Sequence, residues 1–131
     1  MIGLGPVGTV SAACIAKQGF KVIAVDIDQN RVNAFKDNKA PFVEPGINEL
    51  IKKVQESGNF EATTDFKYGV QNSRIVMIAV GTPTPEESGE PDLSFLDNVS
   101  ISIGEAFKEI NPEETIVIVR STVPPGTMRN R

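Results

Sequence analysis

Apolar and polar positions along this chain alternate between two textures. Short, mostly apolar runs fall at Lys21 to Val25, around Phe60 to Thr63, at Ile75 to Val80 and at Thr115 to Val119. These predict strands. The last two are continuous enough to predict strands buried on both faces. Between them lie stretches with helical spacing, at Val7 to Gln18, Gln29 to Lys36, Ile47 to Ser57, Phe66 to Val70 and Ser94 to Ile110. Asp92 or Ser94 is placed to cap the last helix, and Asn111-Pro112 to end it. The stretch from Gly81 to Asp92, rich in Pro, Gly and Glu, reads as a surface loop. Strands alternating with helices build βαβ units. The expected fold is therefore α/β, a doubly wound parallel sheet with helices on both faces.

The start of the chain sharpens that expectation. Gly3-Leu4-Gly5-Pro6-Val7-Gly8 matches the pattern G-x-G-x-x-G and runs directly into a helix. A strand then ends on Asp26, about 20 residues after the glycines, as a Rossmann dinucleotide fingerprint requires. Gly3 would allow the tight turn, and Gly5 a close approach of backbone to pyrophosphate. Gly8 would let the helix pack closely, while the helix N-terminus presents free N–H groups to the phosphates. Taken alone, the loop could be a structural turn without a ligand. Asp26 would accept hydrogen bonds from ribose hydroxyls and repel a 2′-phosphate, which selects NAD over NADP. Arg31 pulls the other way, since it could welcome that phosphate, or it is simply a solvated helix charge. Pro6 suits the first helical turn but removes one N–H that could have served a phosphate. Only Met1 and Ile2 precede the loop, so the first strand is expected to be truncated.

Bulk properties narrow the classes. A chain of 131 residues, 40% hydrophobic and 23% charged, suits one domain with its own core. A net charge of −4, with no basic stripe or aromatic platform, argues against nucleic acid as a partner. No apolar run has the length of a membrane span, and no signal peptide is legible. With one cysteine and no histidine, neither a zinc site nor a Ser-His-Asp triad is expected. A reduced, cytoplasmic setting is the default expectation. Cys14 lies among small apolar residues of the first helix and is expected to be a buried structural thiol.

Four stretches together carry a more specific signal: the glycine loop, Pro41-Phe42-Val43-Glu44-Pro45-Gly46, Val80-Gly81-Thr82-Pro83-Thr84, and Arg120-Ser121-Thr122-Val123-Pro124-Pro125-Gly126-Thr127. With the turn Gly89-Glu90-Pro91-Asp92-Leu93-Ser94, they make the chain resemble the UDP-glucose/GDP-mannose dehydrogenase family from end to end. Pro6 departs from the family pattern, which usually has an aromatic residue there. The resemblance implies that residues 1–131 form the NAD-binding domain of a nucleotide-sugar 6-dehydrogenase, without its central and substrate-binding domains. Such enzymes oxidise the C6 alcohol of a UDP- or GDP-sugar to a uronate with two NAD, holding the intermediate on a cysteine. They are expected to be homodimers when complete. The resemblance assigns Gly81, Thr82, Pro83 and Ser121 to the cofactor cleft, alongside Gly3, Gly5, Pro6, Val7, Gly8, Asp26 and Arg31. It assigns Thr122 both a cofactor contact and the orientation of a catalytic water. The family's nucleophile belongs to a later G-G-x-C motif that nothing here matches.

Blander readings stand beside these. Ser121-Thr122 could be a turn that bonds its own backbone, and Glu44 reads as part of a Pro-Gly turn between helices. The competing functions are another dehydrogenase sharing this domain type, such as a hydroxyacyl-CoA or phosphogluconate enzyme, and a non-enzymatic NAD-sensing module.

Overall fold

The computed structural model describes residues 1–109 and 114–130. In chain order its elements are α1 (Pro6–Lys17), β1 (Val22–Val25), α2 (Gln29–Lys36), α3 (Ile47–Glu56), β2 (Phe60–Thr63), α4 (Phe66–Gln71), β3 (Ile75–Ile78), α5 (Ser94–Phe107), β4 (Ile116–Val119) and α6 (Thr127–Asn130). Every strand pairing among the described residues is parallel. Val22 to Val25 align with Phe60 to Thr63, and Ile75 to Ile78 with Ile116 to Val119. Ile2 joins the two pairs, bridging Val25 on one side and Ile78 on the other. The sheet therefore runs β2, β1, Ile2, β3, β4. The expected first strand is present at the centre of the sheet, reduced to this bridge.

Side-chain alternation divides the core between the two faces of the sheet. Met1, Val22, Ala24 and Ala79 pack with Val32 and Phe35 of α2 and with Ile47, Ile51 and Val54 of α3. Ile2, Val76 and Ile78 pack instead with Val70 of α4 and with Leu96, Ile103 and Ala106 of α5. Helices thus cover both faces, and this is the doubly wound α/β fold of the Rossmann type. Helix α1 lies close because its inner face is small: Gly8, Thr9, Ala12, Ala13 and Ala16 are buried. Asp28 caps α2 by accepting the Asn30 N–H at 2.9 Å, and Asp65 caps α4 by accepting the Tyr68 N–H at 2.9 Å.

Several local expectations need correction. Cys14 is exposed, because the buried stripe of α1 runs through Ala12, Ala13 and Ala16 and passes it by. Strand β4 is not buried on both faces. Ile116, Val117 and Ile118 are all exposed, and Ile75 at the start of β3 is exposed too, because no described side chains cover the sheet faces there. Neither Asp92 nor Ser94 is the N-cap of α5, a place taken by Leu93. Asp92 instead accepts the Ser94 N–H at 2.9 Å, and that bond lowers its pKa. Helix α5 ends at Phe107, and the expected Asn111-Pro112 stop lies outside the described residues.

Candidate functional site

The C-terminal ends of the parallel strands bring the candidate residues together. Ile2 leads into the glycine loop, β1 into Asp26, β3 into Val80–Pro83 and β4 into Arg120–Thr122. In open α/β sheets, ligands bind in the crevice outside these ends, where the chain turns to opposite faces.

Each glycine of the loop has a different reason to be glycine. Gly3 has φ of +94°, and a Cβ there would lie 2.7 Å from the Ala79 carbonyl oxygen. A Cβ on Gly8 would collide with the carbonyl oxygen of Gly3, so the third glycine lets α1 start against the loop itself. Gly5 is unlike both. Its φ is an ordinary −68°, and a Cβ on it would meet nothing within 4 Å. Folding alone therefore does not require glycine at this position, whereas a ligand lying against the backbone would.

Gly5 is also the N-cap of α1, with Pro6 at its first position. The Thr9 N–H donates to the Gly5 carbonyl at 2.9 Å and closes the first turn. Val7 and Gly8, inside that turn, have amides with no intrahelical carbonyl to bond, so they face outward as donors. Pro6 and Val7 are exposed at the mouth of the loop.

Asp26 is buried, and the loop is built onto it. Its Oδ2 accepts the Leu4 N–H at 2.7 Å and an Arg31 guanidinium N–H at 3.3 Å, while its Oδ1 accepts the Asp28 N–H at 2.9 Å. Three of a carboxylate's roughly four acceptor positions are thus taken. Arg31 is not a free helix charge, because it also reaches Asp28 at 3.7 Å. Sequence reasoning cast Asp26 as a ribose ligand and missed its hold on Leu4. A main-chain donor leaves no mark in the sequence.

On the other side of the crevice, the two remaining loops are bonded to each other. The Ser121 hydroxyl donates to the Val80 carbonyl at 2.7 Å, and the Thr82 hydroxyl to the Thr122 carbonyl at 2.8 Å. The Arg120 and Ser121 amides both donate to the Ile78 carbonyl, at 2.8 and 3.2 Å. Ser121 is therefore a cross-strand tie rather than a turn closed on its own backbone. Gly81, Pro83 and Thr122 are exposed on this rim. Arg120 Nε also donates to the Ser11 Oγ at 3.2 Å, joining the β4 loop to α1 across 109 residues. Nothing in either local sequence points to this pairing. Glu44 sits apart, in the turn before α3, where its carbonyl accepts the Ile47 N–H at 3.3 Å.

The whole chain, residues 1–131, matches the UDP-glucose/GDP-mannose dehydrogenase family, NAD binding domain. The chain belongs to this family. As a nucleotide-sugar dehydrogenase domain it is 40% identical over 130 residues to the GDP-mannose 6-dehydrogenase of Pseudomonas aeruginosa, covering 99% of this chain and 29% of that protein. It is 39% identical over 127 residues to the UDP-glucose 6-dehydrogenase of Rhizobium meliloti, covering 97% and 28%. The crystal structure of a ternary complex of the Pseudomonas aeruginosa enzyme superposes with a TM-score of 0.93, over 98% of this chain and 29% of that one, at 40% identity. A UDP-glucose dehydrogenase from Pyrobaculum islandicum superposes with a TM-score of 0.88 at 29% identity, over 96% and 29%. This nucleotide-sugar dehydrogenase domain thus spans less than a third of the length of the relatives it matches.

Proposed function

We propose that this domain binds NAD in the crevice at the strand ends and serves as the cofactor half of an enzyme oxidising the C6 alcohol of a UDP- or GDP-sugar to a uronate. The observation that carries the reading is the open space over Gly5, beside the outward amides of Val7 and Gly8. A pyrophosphate fits such a cradle, because it needs close backbone and unspent N–H donors. Gly3, Gly5, Pro6, Val7 and Gly8 would hold the phosphates. Asp26 and Arg31 would meet the adenosine ribose, and Gly81, Thr82, Pro83, Ser121 and Thr122 would flank the nicotinamide end. Bound NAD supplies a hydride acceptor. The chain's own part would be to hold that acceptor still and to keep the Thr82–Thr122 rim in register, and Thr122 would orient a catalytic water. A substrate domain and a nucleophilic cysteine from a longer protein would complete the enzyme, acting as a homodimer.

Calorimetry with NAD(H) and NADP(H) tests the cofactor assignment. The expected result is tighter binding of NAD(H), because the buried Asp26 carboxylate would face the ribose while Arg31 is held in an ion pair. Equal or tighter binding of NADP(H) would show that Arg31 governs the choice. Absence of binding to either would refute the site.

A further inference from the structure

Helix α1 buries one hydroxyl. Gly8, Ala12, Ala13 and Ala16 make up the rest of its inner stripe, and Thr9 among them has no exposed surface. A hydroxyl taken out of water needs a partner, and a threonine within a helix ordinarily bonds the carbonyl four residues back. For Thr9 that carbonyl belongs to Gly5, and the Thr9 N–H already holds it at 2.9 Å. The Thr9 hydroxyl reaches one residue further and donates to the buried Leu4 carbonyl at 3.1 Å. One residue thus holds two consecutive carbonyls of the glycine loop.

Leu4 is thereby pinned at both of its peptide groups. Its N–H donates to Asp26 Oδ2 at 2.7 Å, and its carbonyl accepts from Thr9. The bond from Leu4 to Gly5 is trans, so the Gly5 N–H points opposite to the Leu4 carbonyl within one rigid plane. With the carbonyl turned in to Thr9, that N–H turns away from the core. It donates to nothing among the described residues. Its neighbours are spent or missing. The Gly3 N–H goes to the Val25 carbonyl at 2.8 Å, the Leu4 N–H goes to Asp26, and Pro6 has none. Between Gly3 and Pro6, Gly5 therefore carries the one main-chain donor left for a ligand, and Thr9 sets its direction from the far side of the peptide.

We propose that the Thr9 hydroxyl is a positioning group for the phosphate cradle, holding the Leu4–Gly5 peptide so that the Gly5 N–H meets the pyrophosphate. Thr9 itself is sealed off from the cofactor. The inference rests on NAD binding at this loop, as proposed above. Without the hydroxyl, the Leu4 carbonyl would be buried with no partner, and the peptide would gain by rotating to find one. The same arrangement accounts for a proline at the mouth of the loop, because the amide immediately before it is free and aimed.

Calorimetry and amide NMR spectra of the 131-residue chain and its Thr9 variants test the proposal. Thr9→Val keeps the shape of the side chain without the hydroxyl, and Thr9→Ser keeps the hydroxyl without the methyl. Thr9→Val should bind NAD roughly fivefold or more weakly than the unsubstituted chain, and Thr9→Ser within about twofold of it, the net scale of one hydrogen bond. If Thr9→Val does not fold, Thr9→Ala supplies a hydroxyl-free chain with a residue the stripe already holds at Ala12 and Ala13, and the same loss is expected. At saturating NAD the Gly5 amide proton should move downfield in the unsubstituted and Thr9→Ser chains and stay in place in the hydroxyl-free ones. Loosened packing alone does not produce that pattern. Equal NAD affinity in a hydroxyl-free variant overturns the inference, as does a Gly5 amide that NAD leaves unmoved in the unsubstituted chain. In both of those cases NAD still binds and the cofactor reading stands. An unsubstituted chain that binds no NAD overturns that reading and this inference together.

Discussion

Gly3 and Gly5 are two residues apart, share a motif, and should fail in opposite ways. Gly3→Ala forces a side chain into a positive φ and against the Ala79 carbonyl, so a stability loss of at least about 2 kcal/mol is expected in urea titrations. Gly5→Ala should leave stability within about 1 kcal/mol, because nothing surrounds the added carbon. NAD binding by that variant should nevertheless fall at least tenfold in calorimetry. A Gly5→Ala protein that still binds NAD normally would remove the main support for the phosphate cradle. Asp26→Asn is expected to do both kinds of harm. Its amide would put an NH2 group against the Leu4 or Asp28 N–H, costing about 1–3 kcal/mol of stability. It should also narrow the preference for NAD over NADP. Equal loss of both cofactors would mean that Asp26 acts only by shaping the loop. The sequence showed that Asp26 and the glycines belong together, through their spacing. It could not show that the carboxylate spends most of its capacity on the loop, since its partners are main-chain groups.

The longer helices and the strands were legible to within a few residues, because small apolar faces and β-branched runs have different periods, whereas the four-residue helix α6 (Thr127–Asn130) was not expected. Phase was harder to read than type. Cys14 sits among alanines, but it is the position around α1 that decides burial, and the stripe through Ala12, Ala13 and Ala16 leaves the thiol outside. β4 misled for a related reason: an apolar composition does not say what covers the faces of a strand. The short first strand has its own electrostatic consequence. The Met1 amine titrates near pH 6 when folded, against 8.0 for the unperturbed group. A depressed folded pKa means that the unfolded chain binds the proton more readily. This contribution to stability is complete above pH 8 and is lost as pH falls through 6, an effect of about 2–3 kcal/mol. The chain has no histidine to blur that window. Urea titrations between pH 5.5 and 8.5 should show the rise, and acetylating the amine should flatten it. A slope that survives acetylation would place its origin elsewhere.

At the level of the whole molecule, the proposed function gives the domain one wall of a reaction site. On that proposal, hydride transfer would need the sugar's C6 held against the nicotinamide by a partner closing over the Thr82–Thr122 rim. The isolated chain is therefore expected to produce no NADH from UDP-glucose, GDP-mannose or UDP-N-acetyl sugars. Absorbance at the NADH band would measure this. Turnover that persists in Cys14→Ser would refute the need for a further cysteine, and turnover abolished by that change would make Cys14 the nucleophile.

The bare strand β4 also bears on how the isolated domain behaves in solution. Ile116, Val117 and Ile118 are exposed on a strand that, among the described residues, is paired along one side only, which is a template for edge-to-edge association. Light scattering of the isolated chain should rise steeply with concentration, faster than a net charge of −4 can restrain. Ile118→Lys, which places a charge on that edge, should keep the protein monodisperse while leaving NAD binding at the distant strand ends unchanged. If scattering is independent of concentration, or unaffected by the lysine, the association does not run through β4. Otherwise the same three side chains set the concentration at which this domain can be handled in solution.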